Sequence, residues 1–252
     1  MSYIIAVVHH AGGVGKTTTV LNLGYSLAQR DQRVLLCDLD PQADLSDRLG
    51  MDAEETLLAE VLVRGSALPV PRDPPHGFAV VPSSLDSMAG VELALGGVLE
   101  RERRLARALQ PLRPAYDYIL LDCPPNPTLL TTNALYAADA VLVPIEAQPK
   151  AYRHFVKHLL PIPHEVQGYR GGPPALLGLL LTKRDATRVA ADVESVLRTD
   201  FPAETFTVSI PRRTRVAEDS AYQGPVGWYA PTDGTALAYA ALAEEVMARV
   251  AH

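Results

Sequence analysis

Ala11, Gly12, Gly13, Val14, Gly15, Lys16, Thr17 and Thr18 form one stretch, AGGVGKTT, in which three glycines precede a lysine and two hydroxyls. Glycines let backbone N–H groups approach an anion closely, and a lysine beside a hydroxyl supplies a cation and a magnesium ligand. That is the chemistry of a triphosphate cradle. Lys16 is placed to neutralise β/γ charge, Thr17 to bind Mg2+ through its hydroxyl, and Thr18 to add a phosphate contact. A strict Walker A loop carries Gly at position 10, where this chain has His10, so the loop is a variant. Asp38 and Asp122 each close a short apolar run, which sets two carboxylates at strand ends.

Such a loop works only between a strand and a helix. The apolar run Tyr3 to Val8 reads as a buried strand, and a helical pattern follows from Lys16 to about Arg30. Strand signals recur at Arg33 to Asp38, Phe78 to Pro82, Asp117 to Asp122, Ala140 to Pro144 and Leu176 to Leu181, with helical stretches between them. This alternation predicts an α/β fold of the P-loop NTPase kind, a twisted, mostly parallel sheet with helices on both faces. Ligands then sit at the carboxyl ends of the strands. Pro69 to Pro75 and Gly171 to Pro174 read as surface loops, and no change of character divides the chain, which predicts one domain over 1–252.

Composition bounds the partners. The 252 residues carry a net charge of −6, so attraction to nucleic acid needs a local basic patch. No apolar run approaches the roughly 18 residues of a membrane span, and Met1 to Tyr3 has no basic leader, which predicts a cytoplasmic protein without signal peptide. Cys37 and Cys123 both lie in apolar stretches and read as reduced, packed thiols.

Three ordered motifs, Gly12 to Thr18, Asp38 to Gln42 (DLDPQ) and Leu120 to Pro125 (LLDCPP), resemble those of the ParA/Soj family of deviant Walker A partition ATPases. Asn133 to Asp139, Val141 to Pro144 and Ile210 to Val216 resemble that family's next helix, next strand and later proline–arginine segment, so the likeness runs along nearly the whole chain. The resemblance implies ATP and Mg2+ as ligands, with Asp40 positioning the attacking water and Asp38 and Asp122 holding the magnesium shell through water; Asp40 is also counted with the metal set. It places the adenine near Thr182, Lys183, Arg184 and Pro211. It further implies an ATP-dependent homodimer that binds nucleoid DNA without sequence preference, positions chromosome, plasmid or protein cargo, and is stimulated by a ParB-like adaptor.

One motif residue departs from the family. Five positions before Lys16, where the family has a lysine that reaches the partner's phosphates, this chain has Ala11. A cation supplied across an interface stabilises charge that develops during phosphoryl transfer. Lys150, just past the Val141 to Pro144 strand and thus on the ligand side, is the candidate replacement, against the plainer reading of a solvated lysine opening a helix. For DNA, Lys183, Arg184 and Arg188 form one basic cluster and Arg212, Arg213 and Arg215 another; Asp185, Glu218 and Asp219 nearby favour ordinary solvated charge as the plainer reading.

Three neighbouring functions make different demands on the sequence. A MinD-like membrane ATPase requires a basic amphipathic C-terminal helix, whereas Thr235 to His252 is alanine-rich and sets Glu244 and Glu245 against Arg249. A nitrogenase-reductase-like donor requires cysteines in loops able to share a cluster, which neither Cys37 nor Cys123 provides. A DNA-binding scaffold that scarcely hydrolyses ATP is compatible with Ala11. With the phosphate loop beginning at residue 11, operator reading by a preceding domain is not expected.

Overall fold

The computed structural model describes residues 2–51, 57–84, 88, 90–156, 174–212 and 222–251. Seven strands, β1 (Tyr3–Val7), β2 (Val34–Asp38), β3 (Ala79–Val81), β4 (Tyr118–Asp122), β5 (Ala140–Glu146), β6 (Ala175–Arg184) and β7 (Thr205–Pro211), form one sheet in the order β3-β2-β4-β1-β5-β6-β7. Every pairing in the sheet is parallel. β2 and β4 are buried along their whole length, as expected for strands covered on both faces.

The alternation of side chains sorts two cores. Ile5 and Val7 of β1 pack with α1 (Lys16–Ala28) and with Tyr239, Leu242, Ala243 and Val246 of a long C-terminal helix on one face. Ile4 and Ala6 face the other way, onto a layer that contains α3 (Leu57–Arg64), α4 (Val91–Leu95), α5 (Arg104–Leu109), α6 (Leu129–Ala137), α7 (Pro149–His154) and α8 (Arg188–Asp200). The short helix α2 (Asp44–Arg48) lies at the carboxyl edge after β2. Beyond β7 come α9 (Val226–Tyr229) and α10 (Gly234–Val250).

Two local departures from the sequence reading matter for the site. β7 was expected only as a proline–arginine segment, yet Thr205–Pro211 is the edge strand beside β6. β6 runs on to Arg184, so Thr182, Lys183 and Arg184 are the strand's last residues rather than a loop after it. α10 is packed on the sheet: Arg249 turns inward, donating to the carbonyls of Leu177, Glu204 and Thr205 and lying 4.1 Å over the Phe206 ring. No helix among the described residues is long and apolar enough to cross a membrane. Arg213, Arg215, Glu218, Asp219 and Gly171 to Pro173 lie outside the described residues.

Candidate functional site

β1 is flanked by β4 and β5, so the loop that follows it emerges at the middle of the sheet's carboxyl edge. Gly13 and Gly15 adopt left-handed backbone angles, φ 72° and 99°, which side-chain-bearing residues resist. Gly15 leads straight into α1 without a side-chain cap, leaving the helix's first N–H groups turned toward an incoming anion. Two hydrogen bonds hold the loop shape: the Ala11 amide donates to His9 Nδ1 at 2.9 Å, and the Thr182 hydroxyl donates to the Val14 carbonyl at 2.8 Å. Lys16 is buried and curls back so that Nζ donates to the Ala11 carbonyl at 3.3 Å. Burial pulls its ammonium below the ordinary lysine range, with Asp122 opposing.

The parallel register sets Asp38 beside Asp122. Their environments differ sharply. Asp38 accepts from the Ser46 hydroxyl at 2.7 Å, the Ser46 amide at 3.0 Å and the Asp40 amide at 3.2 Å; even so, burial pushes its carboxyl up to about 7. Both oxygens of Asp122 are buried without a partner at hydrogen-bonding geometry, although the Thr17 hydroxyl faces them. Burial first, and the neighbouring Asp38 second, raise the Asp122 carboxyl well above its ordinary range. Asp40, also raised mainly by burial, is aimed by the Gln42 amide at 3.0 Å. Among the described residues no three His, Cys, Asp or Glu side chains gather into a metal cage. The orphaned Asp122 oxygens and the Thr17 hydroxyl fit a hydrated divalent ion better than a bare one.

These groups open into a cleft of about 420 Å³, within the range that holds a nucleotide. Gly12, Gly13, Gly15, Lys16, Thr17, Thr18 and Asp40 line one side, and Thr182, Lys183 and Pro211 the other. Ala11 and Val14 shape the loop through their carbonyls and do not line the cleft. Arg184 does not line it either: it is directed away, to Glu194 at 3.2 Å. Arg212, considered from the sequence only for DNA, does line the cleft and pairs with Glu146 at 2.8 Å. Lys183 lies 3.9 Å from the same carboxylate. Arg188 is exposed at the start of α8, and Lys150 is exposed in the first turn of α7, outside the cleft. The sequence reading missed Arg48, Asp44 and Tyr239 as lining residues, and Ser46 as the group that holds Asp38. Arg48 and Asp44 lie on α2, just after the DLDPQ run; Ser46, between them, carried no signal of its own.

A glycine loop at a helix start, a buried lysine inside it and two strand-end carboxylates behind it define a P-loop nucleoside triphosphatase. Residues 2–168 match the AAA domain family. The chain is 40% identical over 247 residues to the chromosome-partitioning ATPase Soj of Thermus thermophilus, covering 98% of this chain and 96% of that one. It is 36% identical over 253 residues to the sporulation initiation inhibitor protein Soj of Bacillus subtilis, covering 98% and 99%. The crystal structure of cobyrinic acid a,c-diamide synthase from Mycobacterium smegmatis, with bound ATP analogue and magnesium, matches with a TM-score of 0.82 at 32% identity, over 97% of this chain and 93% of that one. The chain therefore belongs to the ParA/Soj family of partitioning ATPases.

Proposed function

We propose that the cleft binds ATP with Mg2+ and that the bound nucleotide closes two copies of the chain into a cargo-positioning switch. The observation that carries this reading is the pair of orphaned, buried Asp122 oxygens facing Thr17 directly behind the glycine loop. A buried carboxylate without donors is costly unless a cation or its waters satisfy it. Thr17 would bind the ion and Asp38 and Asp122 would hold its waters, and the ion would supply positive charge against the phosphates. Lys16 would leave the Ala11 carbonyl for the β/γ phosphates, and Asp40, at the open edge of this group, would orient the attacking water. Lys183 and Pro211 would border the base; Arg184, turned to Glu194, would serve the base only indirectly.

Ala11 supplies no cation, so in this deviant Walker A loop the charge that completes the site has to arrive from elsewhere. Lys150 is the candidate for that charge: it is exposed in the first turn of α7, after β5, and does not line its own cleft. The ATP-bound dimer would bind DNA through phosphate contacts at the nucleoid, and a ParB-like adaptor would stimulate hydrolysis. ATP turnover and ATP-dependent mass, measured for the wild type, Lys16→Ala and Lys150→Ala, test this. Lys16→Ala should lose nucleotide binding. Lys150→Ala should bind ATP with ordinary affinity while dimerisation or turnover falls by about tenfold or more. Unchanged dimerisation and turnover in Lys150→Ala would remove it from the mechanism, and a wild type that binds ATP and dimerises without turnover would make the protein a nucleotide-dependent scaffold.

A further inference from the structure

Ser83 lies two residues beyond β3, and the parallel pairing of Val81 with Cys37 brings it beside the turn that follows β2. It is buried, as are Asp38, Asp40 and Ser46. Its amide donates to the Ser46 hydroxyl oxygen at 2.8 Å, and Ser46 in turn donates its own proton to Asp38 Oδ2 at 2.7 Å. Ser83 is thereby anchored to the bonds that hold Asp38. From that anchor its hydroxyl reaches the other carboxylate residue of the DLD run, donating to the Asp40 carbonyl at 3.2 Å.

The Asp40 backbone is pinned on both sides. Its amide donates to Asp38 Oδ1 at 3.2 Å, and its carbonyl accepts from the Ala43 amide at 2.9 Å as well as from Ser83. The turn between is strained at Ala43, whose φ of 55° is a left-handed angle that a Cβ disfavours. Such a turn keeps its shape only while its bonds outweigh the strain. The Asp40 carboxylate, aimed by the Gln42 amide at 3.0 Å, reaches the cleft from this turn, where a misplacement of about 1 Å can slow a hydrolytic step on the order of a hundredfold. On the reading of the cleft as an ATP site in which Asp40 orients the attacking water, we propose that Ser83 is a positioning residue for hydrolysis, its hydroxyl holding the Asp40 turn in the geometry that aims the carboxylate. Ser83 acts on turnover rather than on nucleotide affinity, because its bonds run to Ser46 and Asp40 and not to the glycine loop or Lys16.

Three measurements on the full chain test this: single-turnover hydrolysis of MgATP, affinity for MgATP, and hydrogen exchange of the Asp40 to Ala43 turn without nucleotide. The variants are Ser83→Ala, Ser83→Thr, Asp40→Ala and the Ser83→Ala, Asp40→Ala double. Ser83→Ala leaves the Asp40 carbonyl its bond from Ala43, so no buried group is orphaned and the variant should fold. It should hydrolyse about tenfold more slowly, bind ATP within about twofold of the wild type, and exchange the turn's amides several-fold faster. Ser83→Thr keeps the hydroxyl and should restore most of the rate. The double variant should lose no more than Asp40→Ala alone, since Ser83 acts through Asp40. A serine that only supports the fold would add its loss to that of Asp40→Ala, and that result overturns the proposal. So does a slower Ser83→Ala with unchanged exchange, or a folded Ser83→Thr as slow as Ser83→Ala. If Asp40→Ala loses turnover while Ser83→Ala keeps the wild-type rate, the proposal fails and the ATP site stands. Asp40→Ala hydrolysing at the wild-type rate, or a wild type that does not hydrolyse ATP, overturns both the proposal and the role given to Asp40.

Discussion

Asp38 and Asp122 are neighbours in register and opposites in chemistry. Asp38 is satisfied by three donors, whereas Asp122 faces a hydroxyl and a void in its hydrogen bonding. Without a cation the pair is an electrostatic burden on the fold, and the burden depends on pH. The Asp38 carboxyl titrates near 7 in the folded chain against 3.8 for an ordinary aspartate, so the folded state holds a proton that the unfolded chain releases. That stabilisation is complete below the unfolded value and is lost as pH rises through about 7; Asp122, raised in the same direction, adds to it. In chelator and without nucleotide, melting temperature should therefore fall between pH 5 and pH 8, by roughly 5 °C for a loss of the order of 2 kcal/mol. Asp38→Asn should flatten the profile, and saturating Mg2+ with nucleotide should do the same for the wild type. A flat wild-type profile in chelator would count against a protonated pair. Both positions were legible in the sequence because each ends an apolar run. Ser46 was not, because a serine in a polar turn looks the same whether or not its hydroxyl is aimed at a buried acid.

Six of the seven strands could be read as compact apolar runs, because a strand covered on both faces leaves little room for polar residues. β7 escaped that test. As the edge strand it mixes Thr205, Thr207 and Ser209 with Phe206, Val208 and Ile210, and it ends in Pro211, so its pattern is that of a half-covered strand. Missing it also hid how the far wall of the cleft is built, since β6 is held in the sheet by β5 on one side and by β7 on the other, with Arg249 of α10 donating to its Leu177 carbonyl. The contact that joins this wall to the loop is the Thr182 hydroxyl on the Val14 carbonyl, buried at 2.8 Å. Thr182→Val keeps the shape and deletes the donor. It should cost about 1–2 kcal/mol of stability through the unsatisfied carbonyl, and it should weaken nucleotide binding several-fold as the loop loses its fixed curvature. Chemical denaturation and nucleotide titration of the same variant check the two halves. A loss of stability with unchanged affinity would show that the loop holds its shape without the latch.

At the scale of the whole molecule, charge sets the hardest condition on the proposed switch. A chain of net charge −6 repels DNA on average, and doubling it in a dimer doubles the repulsion. The structure also engages several of the candidate cations: Arg184 pairs with Glu194, Arg212 with Glu146, and Lys183 lies near the same Glu146. Of the basic residues singled out in the sequence, Arg188 stands exposed at the head of α8, and Arg213 and Arg215 complete the list outside the described residues. Basic clusters are easy to find in a sequence, but their carboxylate partners come from other elements, which is why the sequence overstated the free charge here. Affinity for DNA should consequently come from few phosphate contacts made twice across a two-fold axis, and so should require the ATP-bound dimer. Binding to unrelated duplexes measured between 50 and 200 mM salt should be absent with ADP. With ATP it should weaken by about tenfold or more across that range, as expected for a small number of displaced counterions per subunit. The Arg213→Ala, Arg215→Ala double variant should lose most of that affinity and flatten the salt dependence while still dimerising with ATP. A double variant that binds as tightly as the wild type, with the same salt slope, would move the DNA face away from this segment and leave Arg188 as the next position to test.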